Sequence, residues 1–451
     1  MELDIAIIGG GPAGAATALA LLNQGNWRVG ILEQSSQPVF RLGESVPPSI
    51  QYLLARLGVF DTFLQTGHLP SLGNCSAWGD NNLGFNDFWT SMGGQGWHLD
   101  RVKFDASLLQ AAIERGAKVI QGVQVVGGNR SSHGQWTLKL KDTEGTSSQI
   151  NASFVVDASG PRSVFARWQG ANIIRMDSLL GLAAVFSLDG ARAEITGYTL
   201  VEAAELGWWY AARLPENRVI VTLMSDRDLV QKYRLSRPEV WMAALQQTHH
   251  VQKLLEIPAH PGKLQVQPAY SQYLDHISGE GWLAVGDAAC KLDPLSSAGI
   301  HKALQSGIKA AETIVQFQAG ENKALTSYHQ QTQHQFELYL EDRRKYYTQE
   351  TRWPSSPFWQ RRQGCITLSP ATVLTFPASP QAKARLKRLD QYLPPRDLHL
   401  LCDLCNLSSY SPRRASEVVG EFLAQIPYQL SAYRPIEAIQ YLIEQQIIQG
   451  V

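Results

Sequence analysis

The tightest constraint on this chain lies in its first 33 residues. A short apolar run, Ile5 to Ile8, leads into Gly9-Gly10-Gly11-Pro12-Ala13-Gly14. An Ala/Leu-rich stretch follows to Leu22, Gly25 ends it, and a second apolar run from Val29 to Leu32 closes on Glu33. The order is strand, glycine turn, helix, strand, acid. That context turns a bare G-x-G-x-x-G, a weak pattern alone, into a dinucleotide fingerprint. Gly9 permits the tight turn, Gly11 the approach of a pyrophosphate, and Gly14 the close packing of helix on sheet. Pro12 and Ala13 open a helix whose unpaired N–H groups and positive dipole end suit phosphate. Glu33, with Gln34 beside it, is placed to accept from the adenosine ribose hydroxyls. The fingerprint alone does not separate a flavin from a nicotinamide dinucleotide.

At 451 residues the chain exceeds one ordinary core, so two or three domains are expected. Its 40 basic and 40 acidic side chains cancel, which leaves no basic excess for nucleic acid. No apolar run reaches the roughly 18 residues that span a membrane. The chain starts directly on a strand without a signal peptide, so a cytoplasmic location is expected. Cysteines 75, 290, 365, 402 and 405 have no framework spacing and fit a reducing compartment. Cys402 and Cys405 form C-x-x-C, but without the βαβ context of a redox motif or two further ligands for zinc, and no metal site is expected. Tryptophans at 78, 89, 97, 208, 209, 353 and 359 gather outside the nucleotide-binding pattern, where they suit either core packing or a pocket for a large aromatic group.

Further along, Arg41 precedes Gly43-Glu44-Ser45-Val46-Pro47-Pro48, a turn leading into a helix over 49–59. Residues 68–98 are loop-rich and aromatic. Gly96-Trp97-His98-Leu99-Asp100-Arg101 predicts a strand ending in a basic residue, then a helix; Arg101 is a candidate contact to cofactor phosphate or ribityl. Lys118 to Val126 alternates as a strand. Phe154-Val155-Val156-Asp157, followed by Gly160 and Arg162, is a second buried strand ending in acid, glycine and base. Residues 180–226 alternate as an antiparallel sheet with one buried face, and 236–256 read as helical. Trp282 to Val285 is a third strand, closing on Gly286-Asp287; after a turn through Pro294, a long helix opens at Gly299 and Ile300. Past residue 330 the chain reads as helical, with two short helices over 413–450. Its basic and aromatic run at 343–362 suits either a solvated face or a docking surface.

Three glycine/acid strand ends in this order resemble the FAD-dependent monooxygenases of the p-hydroxybenzoate hydroxylase type, over roughly residues 1–330; the flavin-dependent halogenases share that fold. The resemblance implies an α/β chain: a Rossmann-like FAD-binding domain (1–180 and 280–330), an inserted antiparallel-sheet substrate domain (181–279) and a helical C-terminal region (331–451) for partner docking. It implies FAD held by Gly9, Gly11, Pro12, Ala13, Gly14, Glu33, Gln34, Arg41, Glu44, Ser45 and Arg101. Asp157 and Gly160 would touch it at the second fingerprint, Gly286 and Asp287 along the ribityl, and Gly299 and Ile300 at the flavin pyrimidine edge. Gly43-Glu44-Ser45 before Pro47 is nearer to the halogenases. However, the W-x-W-x-I-P signature is missing, and no lysine lies between residues 57 and 102, where the halogenase lysine that handles hypohalous acid should fall.

Four further motifs narrow the resemblance: Ser76-Ala77-Trp78-Gly79, Gly96 to Arg101, Gly207-Trp208-Trp209-Tyr210 with Leu214-Pro215, and Arg352-Trp353-Pro354 with Pro357-Phe358-Trp359. Together they look like the flavoproteins that mature cysteine tryptophylquinone enzymes. That implies hydroxylation of a tryptophan in an unmatured partner protein through a flavin C4a-hydroperoxide, with dioxygen and either NAD(P)H or a flavin reductase. Trp78, His98, Tyr210, Arg213 and Pro294 are the candidates to line that site. His98 is either a proton donor or a satisfied core histidine. Two alternatives stay open: a hydroxylase or halogenase of a small aromatic, and a non-catalytic flavoprotein chaperone.

Overall fold

A computed structural model describes residues 1–363 except 38–40, 91–93, 188–196, 256–260 and 262–263; beyond 363 it describes 373–375, 413–414, 418, 421 and 449–450. The first strand, Glu2–Ile8, lies at the centre of an eight-stranded sheet. Ser147–Asp157 flanks it in parallel on one side and Val29–Glu33 on the other. Trp282–Ala284 and Lys118–Gln121 extend the parallel set outward. All three glycine/acid strand ends therefore come out along one edge, where a doubly wound sheet binds its ligand. The inner strands are buried on both faces, which explains their unbroken Val/Ile/Leu runs. The expected strand 118–126 is two strands, divided at Gly122 with φ +73°.

The first helix, Pro12–Leu22, packs on this sheet and against the long helix Gly299–Gln318. Gly307 makes that crossing close: a Cβ there would lie 2.7 Å from the Ala13 carbonyl oxygen and 2.8 Å from the Ala16 Cβ. The expected helix over 236–256 is a shorter helix, Pro238–Leu245, and a 3-10 turn, Val251–Leu254.

A second sheet has seven strands, and the expected antiparallel run is its centre: Leu179–Ser187, Arg218–Asp226, Gly207–Leu214 and Tyr198–Ala204. It extends beyond 181–279, however. Gly73–Ala77 joins Tyr198–Ala204 in parallel, and Gly84–Asp87 forms the edge. Two strands from the loop-rich segment thus belong to the second sheet. Their polar and glycine-rich sequence hides the strand period, because the edge strand is exposed along its length. One face of this sheet packs Trp209, Val221 and Leu223 against Trp241. The other packs Trp208 and Met224 against Tyr347, Phe358 and Trp359 from the C-terminal segment.

That segment runs through helices Ala324–Thr348 and Pro357–Gln363. Its basic and aromatic run is split: Arg344, Lys345 and Tyr346 are exposed, while other arginines turn inward to acidic partners. Arg343 pairs with Asp177 at 2.6 Å, Arg352 with Glu350 at 2.5 Å, and Arg362 with Asp226 at 2.7 Å; Arg361 reaches both Asp226 and Asp228. The run straps the C-terminal helices to the second sheet. Residues 413–414 and 449–450, at the ends of the stretch read as two helices, are short strands paired with 373–375; the rest of that stretch, with Cys365, Cys402 and Cys405, lies outside the described residues. No helix among the described residues is long and apolar enough to cross a membrane.

Candidate active site

The glycine turn has the shape its sequence requires. Gly9 takes φ +111°, and a Cβ there would lie 2.4 Å from the Ala158 carbonyl oxygen; at Gly14 a Cβ would lie 2.0 Å from the Gly9 carbonyl oxygen. Pro12 opens the first helix after an extended Gly11, and no side chain caps it. Glu33 sits beside the turn, accepting from the Gly10 N–H at 2.6 Å and from the Ser35 N–H at 2.8 Å. Gln34, one residue on, is exposed. Arg41 lies over the turn, its Nη1 2.8 Å from where a Gly11 Cβ would stand. Arg101 starts the helix Arg101–Glu114, which Asp100 caps. Its guanidinium donates to the carbonyls of Leu42 at 2.7 Å and Gly43 at 3.2 Å, and pairs with Asp105 at 3.2 Å. It thereby holds the Gly43-Glu44-Ser45 corner against the cradle.

On the far side, Asp287 stands in the turn Gly286–Ala288, 2.9 Å from the Lys302 ammonium. Burial pushes its carboxyl up, but Lys302 and Lys291 outweigh it, and the group is held below the ordinary carboxylate range. Pro294 opens the turn Pro294–Ser296, where Asp293 caps the Leu295 N–H. Gly299 and Ile300 then begin the long helix, which has no side-chain cap either. Gly160 opens its own short turn, Gly160–Arg162. Asp157 differs from expectation. Its buried carboxylate accepts from the Ser159 N–H and hydroxyl and from the Ala166 N–H, so it braces its own turn and leaves nothing to a cofactor.

These parts fit FAD: two uncapped helix N-termini, glycine positions that a side chain would fill, and carboxylates at the ends of two strands.

Residues expected to bind cofactor and residues expected to line the reaction site meet in one buried network. Antiparallel pairing sets His98 opposite Ser45, and Tyr210 opposite Val201, two residues along from Thr199. The Ser45 Oγ lies 2.6 Å from Thr199 Oγ1 and 2.9 Å from the Tyr210 hydroxyl. Tyr210 donates to Glu44 Oε2 at 3.4 Å, and His98 Nε2 lies 3.1 Å from Thr199 Oγ1. Glu44 is 3% and His98 0% exposed. Burial raises the Glu44 carboxyl against the pull of Arg101. Burial, then the nearby Glu44 charge, puts the Tyr210 hydroxyl well above its usual value. Burial and the Arg213 charge lower His98 to about 4. His98 Nδ1, Arg213 Nε and Thr222 Oγ1 are buried with no hydrogen-bond partner.

Trp78 stands apart from this network. Its indole N–H donates to the Tyr346 carbonyl at 2.9 Å, and its ring meets Tyr347 and Trp359 edge-on. Its visible bonds are to the C-terminal strap, so it anchors that strap. Arg213 bonds Asn217 at 3.1 Å and reaches the network through its charge. Sequence reasoning missed Thr199, because a threonine in a strand carries no signal until the strands are paired. It also missed Lys302, which sits where the long helix turns toward Asp287.

The fold and cradle define an FAD-dependent oxidoreductase. The chain matches the family model described as Tryptophan halogenase over residues 4–74 and 87–385, and it belongs to that family. LodB of Marinomonas mediterranea, described as an FAD-dependent oxidoreductase, is 33% identical over 373 residues, covering 82% of this chain and 99% of its own. Tryptophan 2-halogenase of Chondromyces crocatus is 27% identical over 70% of this chain, which spans 62% of that enzyme. Among solved structures, the flavin-dependent halogenase CmlS superposes with a TM-score of 0.73 at 21% identity, over 99% of this chain and 78% of its own. The peptidyl tryptophan dihydroxylase QhpG superposes with a TM-score of 0.65 at 22% identity, over 99% of both chains. The family is thus that of the halogenases, which the sequence motifs alone had set further off.

Proposed function

We propose that this flavoenzyme oxygenates a tryptophan side chain in an unmatured partner protein during tryptophylquinone cofactor biogenesis. One observation carries the reading. In sequence, LodB is matched at 33% identity over 99% of its length, whereas the tryptophan 2-halogenase is matched at 27% over only 62%. QhpG is itself described as essential for tryptophylquinone cofactor biogenesis. The missing lysine between residues 57 and 102 supports the same choice, since the halogenase resemblance assigns hypohalous acid to a lysine there.

In this reading the Gly9–Gly14 turn and the helix opening at Pro12 hold the pyrophosphate, with Arg41 above it. Glu33 exchanges its Gly10 bond for the adenosine ribose, and Asp287 accepts from the ribityl chain. The N–H groups of Gly299 and Ile300 would offer donors to the flavin pyrimidine edge, since a helix N-terminus favours negative charge. FAD supplies the two-electron redox chemistry and the reaction with dioxygen. The chain positions the indole, excludes water and manages protons. Tyr210 and the Pro294 turn flank the place for the indole, and His98 takes part through Thr199 and Ser45.

The test is the intact mass of the unmatured partner protein after incubation with this chain, FAD, a reductant and air. A gain of one or two oxygen atoms, mapped to a tryptophan, is the expected result. An unchanged mass, with flavin reoxidation indifferent to the partner, refutes the proposal. A halide-dependent gain of a halogen atom would restore the halogenase reading.

A further inference from the structure

We propose that His98, Thr199, Ser45, Tyr210 and Glu44 form a proton relay that carries protons from an entry at His98 Nδ1 to the Glu44 carboxylate at the flavin cradle. The inference rests on the reading of the Gly43–Ser45 corner as part of that cradle. Five polar side chains from a loop and four strands touch in sequence, with Glu44, His98 and Thr199 buried and Ser45 and Tyr210 partly so. Polar groups in a low-dielectric interior are costly unless fully satisfied, and this set leaves an imidazole nitrogen unpaired at one end.

That nitrogen fixes the direction. A buried lone pair without a partner is tolerated better than a buried N–H without one. The His98 proton is therefore assigned to Nε2, which donates to Thr199 Oγ1. Thr199 then donates to Ser45, Ser45 to Tyr210, and Tyr210 to Glu44 Oε2. Each hydroxyl gives one bond and takes one, and no donor competes with another. The far end lies beside Arg101, which also holds the Leu42 and Gly43 carbonyls.

The transfer balances. A hydronium ion that penetrates to the buried His98 Nδ1 gives it a proton and is left as water. The Nε2 proton passes to Thr199, the Thr199 proton to Ser45, the Ser45 proton to Tyr210, and the Tyr210 proton to Glu44. One N–H forms and one breaks on His98, one O–H forms and one breaks on each hydroxyl, and one O–H forms on Glu44. No electron moves, and the chain resets once Glu44 passes its proton on, the three hydroxyls rotate back and water carries the imidazole proton from Nδ1 to Nε2. The charged neighbours suit this traffic. Glu44 faces Arg101 from the helix and Tyr210 from the sheet, while His98 faces Arg213. Burial, and then the Arg213 charge, keep His98 neutral, so it passes protons without storing one.

The test uses the FAD-loaded chain without any partner protein, so it stands apart from the test of the partner reaction. Nitrogen-15 spectra of histidine-labelled protein should show His98 as the neutral Nε2–H tautomer from about pH 6 to pH 8, the range in which a free histidine titrates. An Nδ1–H tautomer or an imidazolium in that range overturns the proposal. Flavin reoxidation by dioxygen in mixtures of light and heavy water should show a curved proton inventory. Thr199→Val and Tyr210→Phe should each straighten it and slow the proton-linked step about ten- to hundredfold, while Thr199→Ser restores both. Circular dichroism and flavin content confirm that each variant is folded; Tyr210→Phe keeps the ring and is the second cut should Thr199→Val not fold. An inventory left curved in a folded variant overturns the relay. Relay signatures in a chain that adds no oxygen to the partner would instead refute the partner reaction alone.

Discussion

Replacing Arg362 with methionine should destabilise the protein by about 3 kcal/mol. Arg362 and Asp226 form a bidentate pair at 2.7 and 3.0 Å, and each side chain is only 2% exposed. Breaking one partner of such a buried pair costs about 3–5 kcal/mol, chiefly because the surviving charge is stranded. Here Asp226 keeps Arg361 at 3.0 Å, but that arginine is 39% exposed and returns no more than about 1 kcal/mol. Burial pushes the Asp226 carboxyl up, and Arg362 and then Arg361 outweigh it, so it sits below its unfolded value in the native protein. A carboxyl lowered in this way stabilises above its unfolded pKa of about 3.9, and the benefit fades as pH falls through the folded value. The gap between parent and variant should therefore be full near neutrality and shrink below about pH 4. Urea unfolding followed by tryptophan fluorescence measures it, and Asp226→Asn in the Arg362→Met background should recover most of the loss. A variant within about 1 kcal/mol of the parent at neutral pH, or a double variant no better than the single, would refute the strap as a buried charge device.

Gly14→Ala places a methyl 2.0 Å from the Gly9 carbonyl oxygen and should weaken FAD retention about tenfold or more, read from flavin absorbance after gel filtration. Tyr347→Phe removes the acceptor of the Trp208 indole N–H at 3.0 Å and the donor to Asp293 at 2.8 Å, for a loss of about 1–3 kcal/mol in urea unfolding. Burial already holds the Asp293 carboxyl above the ordinary range, so its ionised form burdens the fold; the loss should be larger above the folded pKa than below it. Cys75 is fully buried with its thiol pushed up to about 12, so peptide mapping should find it unlabelled by a thiol reagent in native protein at mildly alkaline pH and labelled once urea is added.

The nucleotide-binding half was legible because its information is local. A turn that admits only glycine, two buried strands and an acid lie within 33 residues, and the parallel sheet follows from them. The second sheet was legible only where alternation is strong. Gly73–Ala77 escaped notice because its pairing with Tyr198–Ala204 spans more than a hundred residues, and Gly84–Asp87 because it is an exposed edge strand beside Gly73–Ala77. Asp157 was misassigned because a strand-end carboxylate reads the same whether it faces a ligand or caps its own turn. Which arginines of the run at 343–362 turn inward was hidden for a related reason: their acidic partners, Asp177, Asp226 and Asp228, lie on other elements. Thr199 could not be singled out, because its role exists only once strands from residues 45, 98 and 210 are neighbours.

Family membership and reaction are separate questions here, and the structure shows why. The glycine turn, Glu33, Asp287 and the long helix at Gly299 are, in the proposed reading, the parts that hold and tune a flavin. They are indifferent to what the flavin acts on. The choice of reaction falls to the groups on the sheet face opposite. Lysines could serve as a hypohalous acid carrier only if an amine were available there. Lys302 is bound to Asp287 and the Cys290 carbonyl, and Lys291 to the Pro268 carbonyl. What that face presents is a phenol, two aliphatic hydroxyls, an imidazole and a carboxyl, hydrogen-bonded end to end. Such groups move protons and hold no oxidised halogen. If the proposed oxygenation holds, the reaction would need a proton delivered on the flavin side and a place for the one the indole gives up, and this largely enclosed chain of exchangeable hydrogens would meet both needs.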